Sequence, residues 1–235
     1  MNQKRALIFL IGQSGSGKDT AAAYLCEQHG FHRVASYTTR QRRLGEENGR
    51  EHTFITWGSV AHDPDTWLAH RGLHMLAKTV YGGHYYFTAK EQLTHRVIEI
   101  PGRGVKHKPT AGTDDTSQPI LHPYELLPLP ARQPVIYIID EKGLMDMLAD
   151  PGNVAWLNDN FRYEVWTILR DEETLEDMPL ERLARDNGRT PLPLHLFNWV
   201  IHNDGKQLSL LYDQLSTAVR ESEEFIYGTT MHGKQ

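Results

Sequence analysis

The sequence has little of three features that mark secreted, membrane-bound or general nucleic-acid-binding proteins. Its single cysteine, Cys26, cannot form a disulfide within the chain, so we expect a reducing compartment. No apolar run is long enough to cross a membrane, and the run that ends at Ile11 is too short for the core of a signal sequence. The formal net charge of -5 excludes a large excess of positive charge for binding nucleic acid. Together these absences predict a cytoplasmic protein with no membrane partner.

The 235 residues, of which 39% are hydrophobic, are enough for one domain with a sizeable core. Predicted strands alternate with predicted helices, an order that is typical of a parallel sheet covered by helices on both faces. Residues 85–88 are predicted as a local turn or a sheet edge. We expect strands at 5–11, 31–36, 134–139, 163–169 and 197–202, and helices at 18–29, 141–148, 171–187 and 206–224.

A glycine-rich segment at 12–20 follows the first predicted strand and precedes the first predicted helix. It reads Gly-Gln-Ser-Gly-Ser-Gly-Lys-Asp-Thr, and its glycines allow backbone N–H groups to close around an anion at the helix N-terminus. Lys18 then stands where a cation reaches the outer phosphates of a nucleoside triphosphate. This order of strand, loop and helix predicts a P-loop that binds ATP. Its candidate ATP-binding residues are Gly12, Gln13, Ser14, Gly15, Ser16, Gly17, Lys18, Asp19 and Thr20.

The position after the P-loop lysine departs from the usual pattern, which has serine or threonine there. This chain has Asp19 at that position and Thr20 one residue later. A carboxylate and a hydroxyl are both suitable ligands for Mg²⁺, which prefers oxygen. The sequence therefore predicts a magnesium site and leaves open which of the two residues binds the metal.

A second candidate phosphate site lies just after the second predicted strand. Arg40 and Arg43 are three residues apart, and two guanidinium groups at this spacing can clamp a phosphate. Two neighbouring phosphate sites favour phosphoryl transfer between nucleotides over simple hydrolysis. The alternative from the residues alone is an exposed basic turn with ordinary ion pairs to Glu46, Glu47 and Glu51.

Residues 95–133 interrupt the alternation of strands and helices and contain many turn-forming residues. A long segment of this kind within a domain is usually functional or disordered. Its basic run at 103–108 is a candidate contact for an anion or a nucleic-acid strand, although a solvated, mobile loop is the favoured interpretation. Nucleic acid is therefore not an expected partner, and only this insertion keeps it open.

Four segments make the chain resemble the guanylate kinases over nearly its whole length except the insertion. Residues 36–49 match the family pattern Ser-x-Thr-Thr-Arg-x-x-Arg-x-Gly-Glu-x-x-Gly position for position. Residues 83–88, 139–143 and 200–204 are similar to its Gly-Asn-Tyr-Tyr-Gly-Ser/Thr, Ile-Asp-x-x-Gly and Val-Ile-x-Asn-Asp motifs. The resemblance implies a P-loop kinase fold of three α/β/α layers with a parallel sheet.

The same resemblance implies how the chain is divided. We expect a single guanylate-kinase-like domain over residues 1–235. Within it we expect a small region that binds a nucleoside monophosphate (NMP) at 36–90, the insertion at 95–133 and a short lid at 178–192.

By this resemblance the chain uses ATP and Mg²⁺ to phosphorylate an NMP. Glu46 is expected to orient the two arginines, and His52 stands where the family has a phosphate-binding tyrosine. The residues assigned to the acceptor are Ser36, Arg40, Arg43, Glu46, His52, Tyr86 and Thr88. Asn203 is assigned to the ATP site, and Asp140 joins Asp19 and Thr20 at the metal. The residues assigned to catalysis are Lys18, Arg40, Arg43 and the lid arginines Arg182, Arg185 and Arg189.

Besides His52, three positions depart from the guanylate kinase pattern. Ala77 stands where the family has a glutamate that accepts the N1 and N2 hydrogens of guanine, so we expect a weakened preference for guanine. If guanine selectivity is retained, we expect Glu99 or Glu125 to have taken over that role. Phe87 replaces a glycine and is expected to stack on the base or block it. Ile138 replaces the first of two carboxylates and leaves only Asp140 of the pair.

Other interpretations remain open beside an NMP kinase. The Gly-Lys-Asp run and the Asn-Asp-Gly run at 203–205 are also similar to ribose 1,5-bisphosphate kinases and to phage-type deoxynucleotide kinases. A kinase of a modified nucleotide or DNA base is a further interpretation. A protein-binding module without catalysis is the alternative from another class, but such modules typically have a degraded P-loop, whereas Lys18 and the three loop glycines are present here.

Overall fold

The computed structural model describes residues 4–56, 63–99, 124–170 and 192–228. They contain eleven strands and six helices. The strands are β1 (Arg5–Gly12), β2 (His32–Arg33), β3 (Ser36–Thr38), β4 (His52–Phe54), β5 (Met75–Tyr81), β6 (His84–Ala89), β7 (His95–Glu99), β8 (Tyr124–Pro128), β9 (Val135–Ile138), β10 (Phe161–Arg170) and β11 (Trp199–Asn203). The helices are α1 (Lys18–His29), α2 (Pro64–His70), α3 (Glu141–Ala149), α4 (Pro151–Asn160), α5 (Leu208–Glu221) and α6 (Glu223–Tyr227).

The chain divides into two compact units. The first unit combines Met1–Arg33 with Pro130–Gln235, and the second is the intervening stretch Val34–Leu129. The second unit contains the whole of the predicted NMP-binding region at 36–90. The expectation of a single domain over the whole chain stays a prediction.

Among the described residues, no helix has the length and apolarity needed to cross a membrane.

The first unit is built on a five-stranded sheet with the order β11-β10-β1-β9-β2, in which every pair of neighbours is parallel. Side chains alternate between the two faces of a strand. On β1 both Ile8 and Leu10 on one face and Leu7 and Phe9 on the other are fully buried. The central strand is therefore covered on both sides, as the run of apolar residues predicts.

Helices α1 and α5 cover the face that carries Ile8 and Leu10. Apolar residues of α1 and α5 pack in one cluster with these strand residues and with Trp166 of β10. The members from the two helices are Ala21, Ala22, Leu25, Leu211, Leu215, Ala218 and Val219. The buried stripe of α5 therefore consists of Leu211, Leu215, Ala218 and Val219, whereas Leu208 at its N-terminus is exposed.

The second unit has a four-stranded sheet with the order β4-β3-β6-β5. Strands β3 and β4 are parallel, whereas β6 is antiparallel to both β3 and β5. One face carries an aromatic core in which Tyr37 and Phe87 pack with Trp67 of α2. Strands β7 and β8 form a separate antiparallel pair, and Tyr124 and Leu126 of β8 pack against this core.

The predicted α/β class and the parallel sheet are confirmed, and several elements lie within two residues of their predicted bounds. The prediction of a turn or edge at 85–88 is wrong, because these residues belong to β6, which pairs on both sides with β3 and β5. The ends of the insertion pair as β7 and β8. The helix predicted at 171–187 lies outside the described residues, and so does the lid at 178–192 except for its last residue.

Candidate active site

The glycine-rich loop lies between the carboxyl end of β1 and the N-terminus of α1. Gly12 has a φ of 152°, and a Cβ there would lie 2.5 Å from the carbonyl oxygen of Ile168 and 2.7 Å from Ser16 Oγ. Both distances are far shorter than a carbon atom tolerates, so only glycine fits where the loop leaves the sheet. The backbone of the loop is therefore fixed against β10 at its first residue.

Lys18 is held over this loop. Its Nζ donates hydrogen bonds of 2.6 Å to the carbonyl oxygens of Gly12 and Gln13. Lys18 is also the first residue of α1, so its ammonium group and the positive end of the helix dipole lie at the same place. This arrangement provides two sources of positive potential for an anion in the loop.

Two side chains from neighbouring strand ends hold the outer side of the loop. Asn203, only 7% exposed, donates from Nδ2 to the carbonyl oxygen of Ser16 at 2.8 Å. Arg170 donates from Nη1 to the carbonyl oxygen of Gly15 at 3.0 Å. A Cβ at Gly17 would lie 2.6 Å from Asn203 Nδ2, so this glycine is required for the close approach.

The second unit contains a bidentate ion pair at the start of the predicted acceptor segment. Arg40 donates from Nη1 and Nη2 to the two carboxylate oxygens of Glu46 at 2.7 Å and 2.6 Å. Glu46 Oε2 also accepts the backbone N–H of Arg43 at 2.7 Å. One carboxylate therefore fixes the guanidinium of Arg40 and the backbone of Arg43, while the Arg43 side chain lies on the exposed surface.

Burial and hydrogen bonding act in opposite directions on this pair. Burial alone would raise the pKa of Glu46, but the hydrogen bonds from Arg40 and Arg43 and their positive charges lower it to about 2. Burial likewise acts to lower the pKa of Arg40, and its contacts with Glu46 and Tyr86 outweigh this effect and raise it. Both groups are therefore charged across the physiological pH range.

The other acceptor candidates share one face of the four-stranded sheet. Ser36 is in register with His52, and Thr38 is in register with Tyr86, so these side chains point the same way. Ser36 Oγ lies 2.9 Å from His52 Nδ1. The rings of His52 and Tyr86 meet edge to face with centroids 5.7 Å apart. The structure thus groups four residues that the sequence places in three separate segments.

Comparisons with known proteins found one matching family model and several similar guanylate kinases. A family model described as an AAA domain matches residues 7–81. The guanylate kinase of Aster yellows witches'-broom phytoplasma is 35% identical over 95 residues, which cover 40% of this chain and 42% of that protein. The guanylate kinase of Oleidesulfovibrio alaskensis is 38% identical over 103 residues, which cover 42% and 45%. The crystal structure of guanylate kinase from Anaplasma phagocytophilum superposes with a TM-score of 0.52 at 15% identity, covering 94% of this chain and 87% of that one.

These findings support a divergent relative of the guanylate kinases. The solved structure supports its fold, a P-loop α/β kinase fold. The chain spans about two fifths of the length of the first curated guanylate kinase it matches. The family model at 7–81 includes the P-loop at 12–20 and the predicted acceptor segment at 36–49.

The expectation that Phe87 stacks on the base or blocks it is wrong. It is 1% exposed and packs against Tyr37, with ring centroids 5.3 Å apart, in the core of the second unit. Strand alternation places it on the opposite face from Tyr86 and Thr88, on either side of it along β6. Phe87 therefore neither stacks on a base bound at the Tyr86 face nor blocks it.

Ala77 lies on the face that carries the acceptor candidates. It is the cross-strand partner of Thr88, and Thr79 is the partner of Tyr86. Thr88 is completely buried, and its Oγ1 has no hydrogen-bond partner among the described residues. The side chains that β3, β4, β5 and β6 place on this face contain no carboxylate, so this sheet lacks the group with which guanylate kinases accept the N–H groups of guanine.

Of the two glutamates expected to take over that role, Glu125 does not lie on the described part of this face. Tyr124 and Leu126 of β8 pack against the aromatic core, which is on the Phe87 side of the sheet. Glu125 lies between them along the strand and is exposed, on the other side of the hairpin. The side chain of Glu99 lies outside the described residues.

Two of the three predicted metal ligands, Asp19 and Asp140, have other contacts in the structure. The exposed carboxylate of Asp19 forms an ion pair with Arg33, the last residue of β2. Asp140 caps α3, because its Oδ1 accepts the backbone N–H of Gly143 at 2.6 Å. Within the described ranges no three His, Cys, Asp or Glu side chains form a metal cluster. Oxygen ligands of this kind fit Mg²⁺ when a nucleotide supplies the remaining oxygens.

The lid arginines Arg182, Arg185 and Arg189 lie outside the described residues. Two other arginines, Arg33 and Arg170, were not predicted from the sequence; they contact the P-loop region through Asp19 and Gly15. Both are the last residues of parallel strands, at the edge of a doubly wound sheet where ligands bind. That position in the fold is the signal that could have identified them.

Proposed function

We propose that the chain is a kinase that transfers the γ-phosphoryl group of Mg²⁺-ATP to an NMP. The observation that carries the proposal is the presence, in one relative of the guanylate kinases, of a fixed P-loop and of an Arg40–Glu46 pair in the predicted acceptor segment. A protein that only bound another protein would have no need for either group to be retained.

On the donor side, the proposal assigns the triphosphate to the loop at 12–20. The loop amides and Lys18 would bind the outer phosphates, and Asn203 would keep the loop backbone in place. Asp140 and either Asp19 or Thr20 would hold Mg²⁺, which when bound neutralises charge on the phosphates. Lys18 would leave the carbonyl oxygens of Gly12 and Gln13 as its ammonium group moves to a phosphate.

On the acceptor side, the proposal assigns the monophosphate to the arginines that Glu46 orients. A guanidinium held by a bidentate carboxylate has a fixed plane, and a phosphate can then bind along a defined direction. Tyr86 and His52, on the neighbouring sheet face, add two hydrogen-bonding groups. No strong general base is needed, since an acceptor phosphate is already ionised at neutral pH and positioning dominates the rate.

For the base, the proposal is that the chain discriminates weakly among purines. Guanine presents two neighbouring N–H groups, and burying them without an acceptor costs free energy. The sheet face with Ala77 and Thr88 supplies hydroxyls and a methyl group in that region. A second candidate function, phosphorylation of ribose 1,5-bisphosphate, is favoured by the same observation, because that acceptor has no base to recognise.

The test is a measurement of ADP release with Mg²⁺-ATP and each candidate acceptor in turn. The panel contains all ribonucleoside and deoxyribonucleoside monophosphates, ribose 1,5-bisphosphate and single-stranded DNA. The proposal expects turnover with at least one monophosphate that exceeds the acceptor-free rate. Turnover only with ribose 1,5-bisphosphate would favour the second candidate, and no turnover with any acceptor would favour a binding module.

A further inference from the structure

The last residues of two neighbouring strands bind consecutive carbonyl groups of the phosphate loop. Arg170 of β10 and Asn203 of β11 are partners in the register of the parallel sheet. Arg170 bonds the carbonyl oxygen of Gly15 at 3.0 Å, and Asn203 bonds that of Ser16 at 2.8 Å. The sheet thus holds two successive peptide groups of the loop from outside.

This contact determines where the loop amides point. In a planar trans peptide the C=O and the next N–H point in opposite directions. Holding the carbonyl groups of Gly15 and Ser16 outwards therefore turns the N–H groups of Ser16 and Gly17 into the loop. Consistent with this, Ser16 N–H points to the carbonyl oxygen of Gln13 across the turn, at 3.2 Å.

We propose that Arg170 is a positioning residue of the donor site, which orients the Gly15–Ser16 peptide for phosphate binding and adds a fixed positive charge beside the loop. Arginine suits this role because it is charged at all physiological pH values, so its bond to a carbonyl oxygen is charge-assisted. Asn203 makes the equivalent contact as a buried, neutral group. The inference rests on the proposed function only in assigning the loop to the phosphates of ATP.

The test compares Arg170→Met with a matched control on the same strand. Arg162, at the beginning of β10, also donates from Nη1 to a carbonyl oxygen, that of Glu224 at 3.4 Å. Affinity for Mg²⁺-ATP is measured by calorimetry, the KM for ATP and for the acceptor by steady-state kinetics, and folding by Tm. We expect Arg170→Met to weaken ATP binding and raise its KM by about 10-fold to 100-fold, with the acceptor KM within about 2-fold of the parent. Arg162→Met is expected to leave both KM values unchanged.

Two further variants separate the role of Arg170 from a purely structural one. Arg170→Lys keeps the charge and one donor, so its ATP affinity should lie between those of the parent and Arg170→Met. Arg170→Gln keeps a hydrogen-bond donor but no charge, so its ATP affinity should be lower than that of Arg170→Lys. Parent-like ATP affinity in both the Met and Gln variants, or an equal rise of both KM values, would overturn the inference. A parent that binds no ATP would instead overturn the proposed function.

Discussion

Ala77 on β5 and Thr88 on β6 are direct cross-strand partners, and their side chains share the sheet face that carries Tyr86 and Ser36. Because Ala77 contributes only a methyl group beside the buried hydroxyl of Thr88, this part of the face offers a base a hydroxyl but no carboxylate. The residue at position 77 should therefore affect how strongly the protein prefers guanine over other bases.

We expect Ala77→Glu to raise the ratio of kcat/KM for GMP or dGMP over the other monophosphates. One carboxylate would accept both N–H groups of guanine, and a satisfied polar pair supplies a discrimination of roughly 10-fold to 200-fold. Ala77→Gln is the control, because its amide offers only one acceptor oxygen.

The comparison of GMP with IMP in the parent needs no variant. These two substrates differ only by the amino group at C2, so the parent should use them with similar kcat/KM. A parent that strongly prefers GMP over both IMP and AMP would contradict this explanation of the Ala77 face.

The acceptor arginines give a second prediction. Arg40→Ala and Arg43→Ala should each raise the acceptor KM or lower kcat, because each loses a charge-assisted bond to phosphate worth about 1.5–3 kcal/mol. The KM for ATP should stay near its parent value in steady-state kinetics. Arg40→Ala should also lower Tm more than Arg43→Ala, since it leaves the carboxylate of Glu46 without its bidentate partner. An equal loss of ATP affinity in both variants would show that the two phosphate sites are not distinct.

The depressed pKa of Glu46 predicts a pH-dependent contribution to stability. Its pKa falls from an ordinary value of 4.5 to about 2 in the folded protein, so the unfolded state binds the proton more readily. The stabilisation is therefore fully present above the unfolded value and is lost as the pH falls through the folded one. In urea unfolding, Glu46→Gln should be less stable than the parent above pH 4.5, and the difference should shrink between pH 4.5 and about 2.

Glu47→Gln is the matched control for this measurement. Glu47 lies on the same turn but pairs with Arg50 at an exposed position, where ion pairs contribute little. Its stability should follow that of the parent across the pH range. If the loss of stability in Glu46→Gln does not change with pH, the carboxylate acts through packing and not through its charge.

The features that the sequence predicted correctly each lie within one continuous segment of the chain. The P-loop between β1 and α1 is a continuous segment whose glycines and lysine carry their own signal, and the buried strands β9, β10 and β11 are short apolar runs. The orientation of Arg40 by Glu46 also lies within one segment, and the family pattern was sufficient to anticipate it.

What the sequence failed to predict depends on pairing between distant segments. The register of β6 with β3 determines which face of the sheet Phe87 occupies. Because the sequence does not reveal that register, Phe87 was predicted to contact the base. Arg170 contacts Gly15 across more than 150 residues of chain, so no local pattern reveals it. Helix α2 and strand β5, between the two family motifs of the second unit, were also not predicted.

Transfer of a phosphoryl group from ATP to a monophosphate, with Lys18 and the P-loop holding the donor, can be observed by its products. The most direct measurement is ³¹P NMR of Mg²⁺-ATP with the best acceptor of the panel, comparing the parent with Lys18→Ala and with Lys142→Ala, a control lysine on the surface of α3 whose partner is Asp146. We expect the parent and Lys142→Ala to form ADP and the diphosphate of the acceptor in equal amounts, and Lys18→Ala to form neither while keeping the parent Tm. Equal product formation by Lys18→Ala would contradict this expectation.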